Sequence, residues 1–377
     1  MTSATTGREL RTRPDAGPPV RPGTIRPAAS ILHDVLPAGE LNAKGRPTGA
    51  LRDDLYRPHN VRNACNVVAV WVQSLGVIAL ALWIGNPIAW VVAFFLMGRA
   101  FALFAILGHE SAHRLLFTNR KVNDFVGRWL LAYPGFVPLD GYRRSHMAHH
   151  KDEFGPNEPD MNLYRGYPVS RASLRRKLTR DLFGQSGWKN LKSLFRGLKY
   201  DGTRVHAVRI LVVQAVLFGV FAALGQWWLY WVMWFLPWMT LWRVTNRLRA
   251  IAEHGGMERS KDRRRTTHSV RQHLAARFLM VPYNIGWHLA HHVDMGVPWK
   301  HLPAYHRELV ASGWVPEGLE YRNYPALWRK LGSGADVAAM AEIEAELGSE
   351  FEPATAARRA PATAADTQLA GSAGPSS

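Results

Sequence analysis

Hydrophobic residues are concentrated in two stretches, residues 63–98 and 210–242, that contain no Asp, Glu, Lys or Arg. Turn-forming residues divide each stretch, IGNP at 84–87 and GQ at 225–226. Each part has close to the roughly 20 apolar residues with which a helix crosses a bilayer, although the second pair is shorter. The pattern predicts two helical hairpins with spans at about 63–83, 88–107, 210–224 and 227–242. Buried core helices of a soluble protein are the alternative.

The polar segments around these spans predict two further helices and two tails. Residues 170–184 (SRASLRRKLTRDLFG) and 188–200 (WKNLKSLFRGLKY) place Lys and Arg on one helical face. This arrangement predicts amphipathic helices that lie in the headgroup plane of a membrane. Binding of the phosphates of CoA or of the acidic surface of a carrier protein is the alternative. Residues 1–50 have no apolar run and predict a disordered tail. Residues 51–332 form the predicted membrane domain, and residues 333–377 predict a short helix followed by a disordered tail.

Two residues within the first hairpin carry predictions of their own. Arg99 lies in the middle of the second span, where a cation in contact with lipid is costly. We therefore expect its side chain to face the interior of the helix bundle. The single cysteine, Cys65, excludes an intrachain disulfide and any CxxC metal site. Its apolar surroundings predict a small core residue.

The excess of positive charge is explained by a membrane. The chain has 47 Lys and Arg against 29 Asp and Glu, a net charge of +18. Residues 109–205 contain 18 basic and 9 acidic residues, whereas the two hairpin turns contain none. Lys and Arg are retained on the cytoplasmic side, so both termini and the middle segment are predicted to be cytoplasmic. No nucleic-acid recognition motif accompanies the charge, which argues against a nucleic-acid partner.

Nine of the 16 histidines occur in four motifs. GHESAH ends the second span with histidines at i and i+4, and a lone histidine follows the fourth span in AEHGG. SHMAHH and WHLAHH each place three histidines at i, i+3 and i+4, positions that share one face of a helix. The candidate ligands are His109, His113, His146, His149, His150, His254, His288, His291 and His292.

The predicted topology brings these nine histidines together, because two crossings separate the first two motifs from the last two. Clustered imidazoles repel one another when protonated and are costly to bury unpaired, and metal coordination removes both problems. A first-row metal takes at most about six ligands, so nine histidines predict two metal ions. Imidazole suits zinc, copper, iron and nickel, which leaves the metal open. The other histidines are predicted to line solvated loops: His33, His59, His206, His268, His273, His301 and His306.

The order HxxxH, HxxHH, lone His and HxxHH around two hairpins resembles the membrane fatty acid desaturase and hydroxylase family. Longer segments agree, namely NDFVGRWL at 123–130, YRRSHMAHH at 142–150 and PYNIGWHLAHHVDMGVPWKHLPAYH at 282–306. The resemblance covers about residues 62–310. It implies an all-α integral membrane fold, in which two transmembrane hairpins of about four spans are capped by a cytoplasmic helical histidine-box domain.

The resemblance also implies a cofactor, a substrate and a location. By likeness to the family, the nine histidines bind two iron ions that activate O2 for attack on an unactivated C–H bond of a lipid chain. The substrate is expected to be an acyl chain on a lipid, CoA or carrier protein, since a basic surface suits an anionic head. We expect a multi-pass protein of the bacterial cytoplasmic membrane, with its active site on the cytoplasmic side.

Some positions depart from the family pattern. In one branch an Asn four residues before the lone histidine helps to hold a metal-bound water, and here that residue is Ala250. Asn284, four residues before His288, is expected to substitute for it or to cap the helix. The first box is HxxxH, unlike the HxxxxH of the acyl-CoA Δ9 branch. A fused cytochrome b5 domain is not expected, so electrons should come from a separate ferredoxin, rubredoxin or cytochrome b5 with its reductase.

The same iron–oxygen chemistry serves desaturation and hydroxylation, and the placement of the chain decides between them. NIGWHLAHH and the spacing after the second box resemble desaturases, whereas EHGG at 253–256 resembles the alkane hydroxylase branch. We expect desaturation, with hydroxylation as the alternative. Five tryptophans on one face of the fourth span predict either bundle packing or the wall of an acyl channel: Trp227, Trp231, Trp234, Trp238 and Trp242.

Two other classes of protein share part of the pattern. HESAH is also an HExxH motif, in which Glu110 would be the general base of a membrane zinc metalloprotease. That function leaves both HxxHH triplets unused, and in a desaturase Glu110 is expected to orient an imidazole or relay protons. A metal transporter would place its ligands near the bilayer midplane rather than at one face.

Overall fold

The computed structural model describes residues 25–334, and this part of the chain is mostly helical. Nearly all of the predicted C-terminal helix and tail lies outside the described residues. The helices are α1 Gly49–Leu55, α2 Asn60–Ile84, α3 Pro87–Ala112, α4 Arg120–Val126, α5 Leu139–Lys151, α6 Met161–Tyr164, α7 Arg171–Leu182, α8 Gln185–Gly197, α9 Asp201–Ala223, α10 Trp227–Leu229, α11 Leu236–Met239, α12 Leu241–His254, α13 Leu274–Leu279, α14 His288–Val293, α15 Leu302–Ala311 and α16 Tyr324–Leu331. Two short strands, β1 Ser269–Val270 and β2 Glu320–Tyr321, pair in parallel.

Three of the described helices, α2, α3 and α9, are long and apolar enough to cross a membrane. The turn predicted between α2 and α3 is confirmed. Gly85 ends α2 with a φ of +69°, which glycine adopts without strain. Asn86 then caps α3 by accepting a hydrogen bond from the Ala89 amide, and Pro87 occupies the first turn of α3.

The segment predicted as the fourth span is not one regular helix. It begins with α10, continues as a π-helical turn at Tyr230–Phe235 and then as α11, and breaks at Thr240 before α12. Pro237 lies in the first turn of α11. A π-turn contains more residues per turn than an α-helix, and it therefore rotates the face that the following residues present.

This rotation divides the predicted tryptophan stripe. Trp227 and Trp231 are exposed, whereas Trp234, Trp238 and Trp242 are buried in the bundle core. The indole nitrogens of Trp234 and Trp238 donate hydrogen bonds to the carbonyl oxygens of Pro134 and Gly135. The buried half of the stripe thus packs within the bundle.

The C-terminal half of α3 is the central element of the molecule. Almost every residue from Met97 to Ala112 is buried, whereas α2 and α9 expose much of their surface. Arg99 is partly buried, as expected, and its partners belong to two other elements. It donates hydrogen bonds to the side-chain oxygen of Gln73 on α2 and to the carbonyl oxygen of Phe278 on α13. The cation is thus supplied with oxygen acceptors.

Two sequence predictions differ from the structure in this region. The described part of the predicted N-terminal tail contacts the core, because Ile25 and Leu41 are buried among other apolar side chains. Cys65 is exposed on α2, so the prediction of a small core residue was wrong. The periodicity of a span that is apolar on all sides does not show which face meets protein.

The two predicted amphipathic segments form α7 and α8. Asp181 at the end of α7 is fully buried and pairs with Arg247 of α12, and the hydroxyl of Ser186 on α8 donates to the same carboxylate. A buried carboxylate is stable only when it is paired and hydrogen-bonded. This pair fixes α7 and α8 against α12, the helix that ends in His254.

Candidate metal centre

Four helices bring the nine predicted histidines together. α3 ends at the first motif, α5 carries the second, α12 ends with the lone histidine, and α14 begins at the last box. Eight of the nine residues are buried, and His113 is partly buried. The predicted convergence of all four motifs is therefore observed.

The first group contains His109, His113, His146, His150 and His291, whose possible ligand atoms lie within 4.8 Å of one another. The Nε2 atom of His146 lies 2.9 Å from that of His113 and 3.1 Å from that of His150. The Nε2 atom of His150 is also 3.1 Å from that of His291. A neutral imidazole nitrogen either donates or accepts one hydrogen bond, so hydrogen bonding cannot satisfy this chain of contacts.

The second group contains His149, His254 and His292, again with ligand atoms within 4.8 Å. His288 joins them, because its Nε2 atom lies 3.2 Å from that of His254. The Nε2 atom of His292 is buried and has no hydrogen-bond partner among the described residues. In the first group, both ring nitrogens of His109 are likewise buried and have no hydrogen-bond partner among the described residues. Such unpaired nitrogens are what a bound cation would satisfy.

Acceptors behind the second group orient its imidazoles. Glu158 accepts from Nδ1 of His149 at 3.0 Å, Glu153 accepts from Nδ1 of His292, and the Thr266 carbonyl accepts from Nδ1 of His254 at 2.9 Å. With Nδ1 occupied as a donor, Nε2 is the ring nitrogen that remains for a metal ion when the ring is neutral. Metal-binding histidines are commonly held by acceptors in this way.

Burial keeps most of the cluster neutral. It lowers the pKa of His146, His150, His254, His291 and His292 well below the ordinary value, and charge on neighbouring histidines lowers it further. Neutral imidazole is the form that binds metal. The two groups therefore fit metal ions in donor chemistry and protonation.

His149 differs from the other members of the second group. Burial lowers the pKa of His149, but the hydrogen bond and charge of Glu158 outweigh burial, so its pKa is raised. The same contact holds the pKa of the Glu158 carboxyl below its ordinary value, although burial alone would raise it.

The carboxylates were missed by sequence reasoning. Glu153 lies three residues after the second box, Glu158 and Asp160 follow in the same loop, and Glu253 precedes the lone histidine. Two further sets of side chains could also hold a metal ion, Glu153 with His150 and His292, and Asp160 with His149 and Glu158. The feature of the sequence that could have identified these carboxylates is an acidic residue within ten positions of a histidine motif.

Asn284 and Glu110 are not placed as expected. Asn284 neither caps α14, whose N-cap is Trp287, nor joins either group of ligands. Its side chain donates to the Trp299 carbonyl and accepts from Arg277. Glu110 is buried and accepts a hydrogen bond from the Trp299 amide at 3.1 Å. Within residues 25–334 it forms no hydrogen bond with a histidine.

Two of the histidines predicted to line solvated loops are also buried. The Nε2 atom of His268 donates a hydrogen bond to the Gly255 carbonyl at 2.7 Å, and burial lowers the pKa of this imidazole to about 4. His306 bonds to Glu320 at 3.0 Å. Both lie outside the two groups and connect loops to the core.

The fold and the site define a helical protein with three membrane-length apolar helices and a histidine-rich cluster suited to metal. A family model described as fatty acid desaturase matches residues 85–325, more than half of the chain. The chain belongs to the fatty acid desaturase family, and it is therefore an oxidoreductase. The family and the apolar helices together indicate a membrane protein.

Individual relatives are desaturases of several kinds. The sn-1 oleoyl-lipid 12-desaturase of Arthrospira platensis is 26% identical over 302 residues, which cover 72% of this chain and 81% of that protein. The dihydrorhizobitoxine desaturase of Bradyrhizobium elkanii is 25% identical, over 64% of this chain and 74% of its own. A chloroplastic omega-3 fatty acid desaturase of Ricinus communis is 36% identical over 22% of this chain and 17% of its own.

Replacement of Glu110 tests the alternative that the protein is a zinc metalloprotease. We expect Glu110→Gln to keep wild-type metal content, because glutamine retains an oxygen that can accept from the Trp299 amide. Metal analysis and a casein-cleavage assay of both proteins measure this, and neither protein should cleave casein. His109→Ala is the matched control and should lose metal. Cleavage that disappears in Glu110→Gln would contradict the desaturase assignment.

Proposed function

We propose that this protein is an O2-dependent di-iron lipid desaturase, which introduces a double bond into an acyl chain. The observation that carries the proposal is the division of nine histidines into two adjacent groups, at one end of an apolar helical bundle, in a chain of the desaturase family. Nine imidazoles exceed the roughly six ligands of one ion, so two ions account for them.

Iron is the metal that the reaction favours. Removing hydrogen from an alkyl chain requires O2 and a redox-active metal ion. Bound iron would supply the redox activity, and zinc would not. The first group would hold one ion and the second group the other. Burial favours the neutral form of most of these rings, whereas Glu158 raises the pKa of His149. The chain itself orients three rings of the second group through Glu158, Glu153 and the Thr266 carbonyl, and it excludes water by burying the ligands.

The proposed topology has four crossings. α2 and α3 form the first hairpin, and α9 with the broken α10–α11 segment forms the second, since the π-turn and the break at Thr240 lie in an otherwise charge-free stretch. Irregular helix is tolerated at membrane depth where it is packed against protein, as Trp234 and Trp238 are. The basic surface between the hairpins supports a cytoplasmic cap in a bacterial cytoplasmic membrane.

The substrate and electron donor are proposed from the relatives and the charge. Relatives named as acyl-lipid desaturases support an acyl chain on a lipid as the substrate, and CoA or carrier-protein thioesters share the anionic head that the basic surface suits. Electrons would come from a separate ferredoxin, rubredoxin or cytochrome b5 with its reductase.

Expression in a host with compatible electron carriers tests the reaction. Total fatty acids would be compared by mass spectrometry with those of a His149→Ala control. We expect a product about two mass units lighter, the loss of two hydrogens, in the wild type only. A product about sixteen units heavier would show hydroxylation instead. If neither mass appears in any acyl pool, the substrate is not a common membrane lipid.

A further inference from the structure

An open apolar groove lies between α7, α12 and α16, apart from the two histidine groups. It has a volume of about 550 Å³, within the roughly 300–1,000 Å³ of small-molecule sites. Most of its lining is apolar and comes from all three helices, namely Leu174, Leu178, Leu182, Val244, Pro325 and Trp328. Its surface is suited to a hydrocarbon chain.

Cations surround this apolar surface. Arg171 and Arg175 of α7 and Arg329 of α16 also line the groove, and all three are exposed. None of the lining residues, all within the described range, is acidic. The one acid of α7, Asp181, is buried and already paired with Arg247. The arginines of the groove therefore have no carboxylate partner among the described residues.

The outer face of α7 adds further positive charge. Arg176, Lys177 and Arg180 line a second depression that shares Arg175 with the groove. Burial lowers the pKa of Lys177, and the charges of Arg247, Arg180 and Arg176 lower it further, as expected where cations crowd together. Binding of an anion relieves such repulsion.

The walls of the groove are fixed before any ligand binds. The indole nitrogen of Trp328 donates to the Leu248 carbonyl of α12 at 3.0 Å. The buried Asp181–Arg247 pair holds α7 against α12 from the other side. A preformed site loses less entropy on binding than a site that must be ordered by its ligand.

We propose that this groove is a binding site for an anionic phospholipid, with an acyl chain against the apolar lining and the phosphate among Arg171, Arg175 and Arg329. A phospholipid combines the two properties that the groove displays side by side, a hydrocarbon chain and a negative head. Exposed aromatic residues on the adjoining α8, Trp188 and Phe195, extend the same lipid-facing character. The inference rests only on the proposed membrane location and is separate from the reaction.

Native mass spectrometry of the purified full chain tests this site. The protein would be equilibrated in mixed micelles with equal amounts of phosphatidylglycerol and phosphatidylcholine that have identical acyl chains. We expect the wild type to retain phosphatidylglycerol about tenfold over phosphatidylcholine, since cations near a membrane attract anionic lipid. The double variant Arg175→Gln/Arg329→Gln should lose this preference. The charge-matched control Lys261→Gln/Arg307→Gln, at exposed positions outside the groove, should keep it.

Further measurements separate recognition of the lipid's acyl chain from recognition of its phosphate head. Leu178→Trp fills the groove and should lower retention of both lipids, with thermal unfolding used to confirm that the variant is folded. Inorganic phosphate should not displace the lipid, because it lacks a chain. His149→Ala should retain lipid normally while it forms no double bond, so failure of the lipid site and failure of the reaction are distinguishable.

Unchanged phosphatidylglycerol preference in Arg175→Gln/Arg329→Gln would overturn the proposal. If the same variant also binds the reduced electron carrier more weakly, α7 is a protein-docking surface instead.

Discussion

Replacement of His291 by alanine is expected to abolish the formation of double bonds and to lower bound iron from about two atoms per chain to about one or fewer. His291 is buried, and its Nε2 atom, 3.1 Å from that of His150, connects α14 to the ligands of α5 in the first group. Alanine removes one of the five imidazoles of the first group. Turnover should therefore fall below detection, because the proposed reaction needs both ions together.

Iron per chain, measured after purification under iron-replete conditions, and fatty acid products in cells give the two readouts. The same result is expected for alanine at each of the other triplet histidines: His146, His149, His150, His288 and His292. His206→Ala and His33→Ala are the controls and should change neither readout, since both side chains lie outside the ligand groups. His306 is a poorer control because it is buried against Glu320.

Two outcomes would contradict this prediction. Wild-type activity in His291→Ala would mean that the triplets are not ligands. One zinc and no iron in the wild-type protein would exclude the proposed oxidative chemistry, because zinc is not redox-active.

The division of each triplet between the two groups was not predicted from the sequence. In the second box, His146 and His150 belong to the first group and His149 to the second. In the last box the pattern is reversed, because His291 belongs to the first group while His292 belongs to the second. Periodicity shows that i, i+3 and i+4 share a helical face. The rotation of α5 against α14 decides which of these histidines joins which group, and that rotation depends on tertiary packing.

The first helical hairpin was predictable from the sequence, but the second hairpin and the contacts of Glu110 and Asn284 were less so. Charge-free runs and a turn such as IGNP define α2 and α3 because membrane length and glycine conformation are local properties. The π-turn at Tyr230–Phe235 has no such local signal. The five tryptophans were placed on one face by assuming α-helical spacing throughout, and the π-turn divides them between two faces. Glu110 and Asn284 were assigned roles from their distance in sequence to a histidine. In the structure both bond to Trp299, which comes close only through the fold.

The largest effect away from the ligands themselves is expected at Glu153. Its carboxylate accepts from Nδ1 of His292 and pairs with Arg263, which also donates to the His150 carbonyl. Glu153→Ala would release the ring of His292 and leave the guanidinium of Arg263 without its carboxylate. Loss of such a supporting acceptor typically lowers metal affinity by about 10- to 100-fold. The second group should therefore lose its ion first.

Chelator titration of iron-loaded protein measures this prediction. Glu153→Ala should release about one of two iron atoms at a chelator concentration that leaves the wild type loaded, and activity should be lost with it. Glu153→Gln keeps an oxygen that can accept from His292, so its iron release should lie between that of the wild type and that of Glu153→Ala. Asp152→Ala is the matched control, because the neighbouring Asp152 pairs with Arg259 at the exposed surface, where an ion pair contributes little. Equal iron release from Asp152→Ala and Glu153→Ala would show that Glu153 does not act through His292.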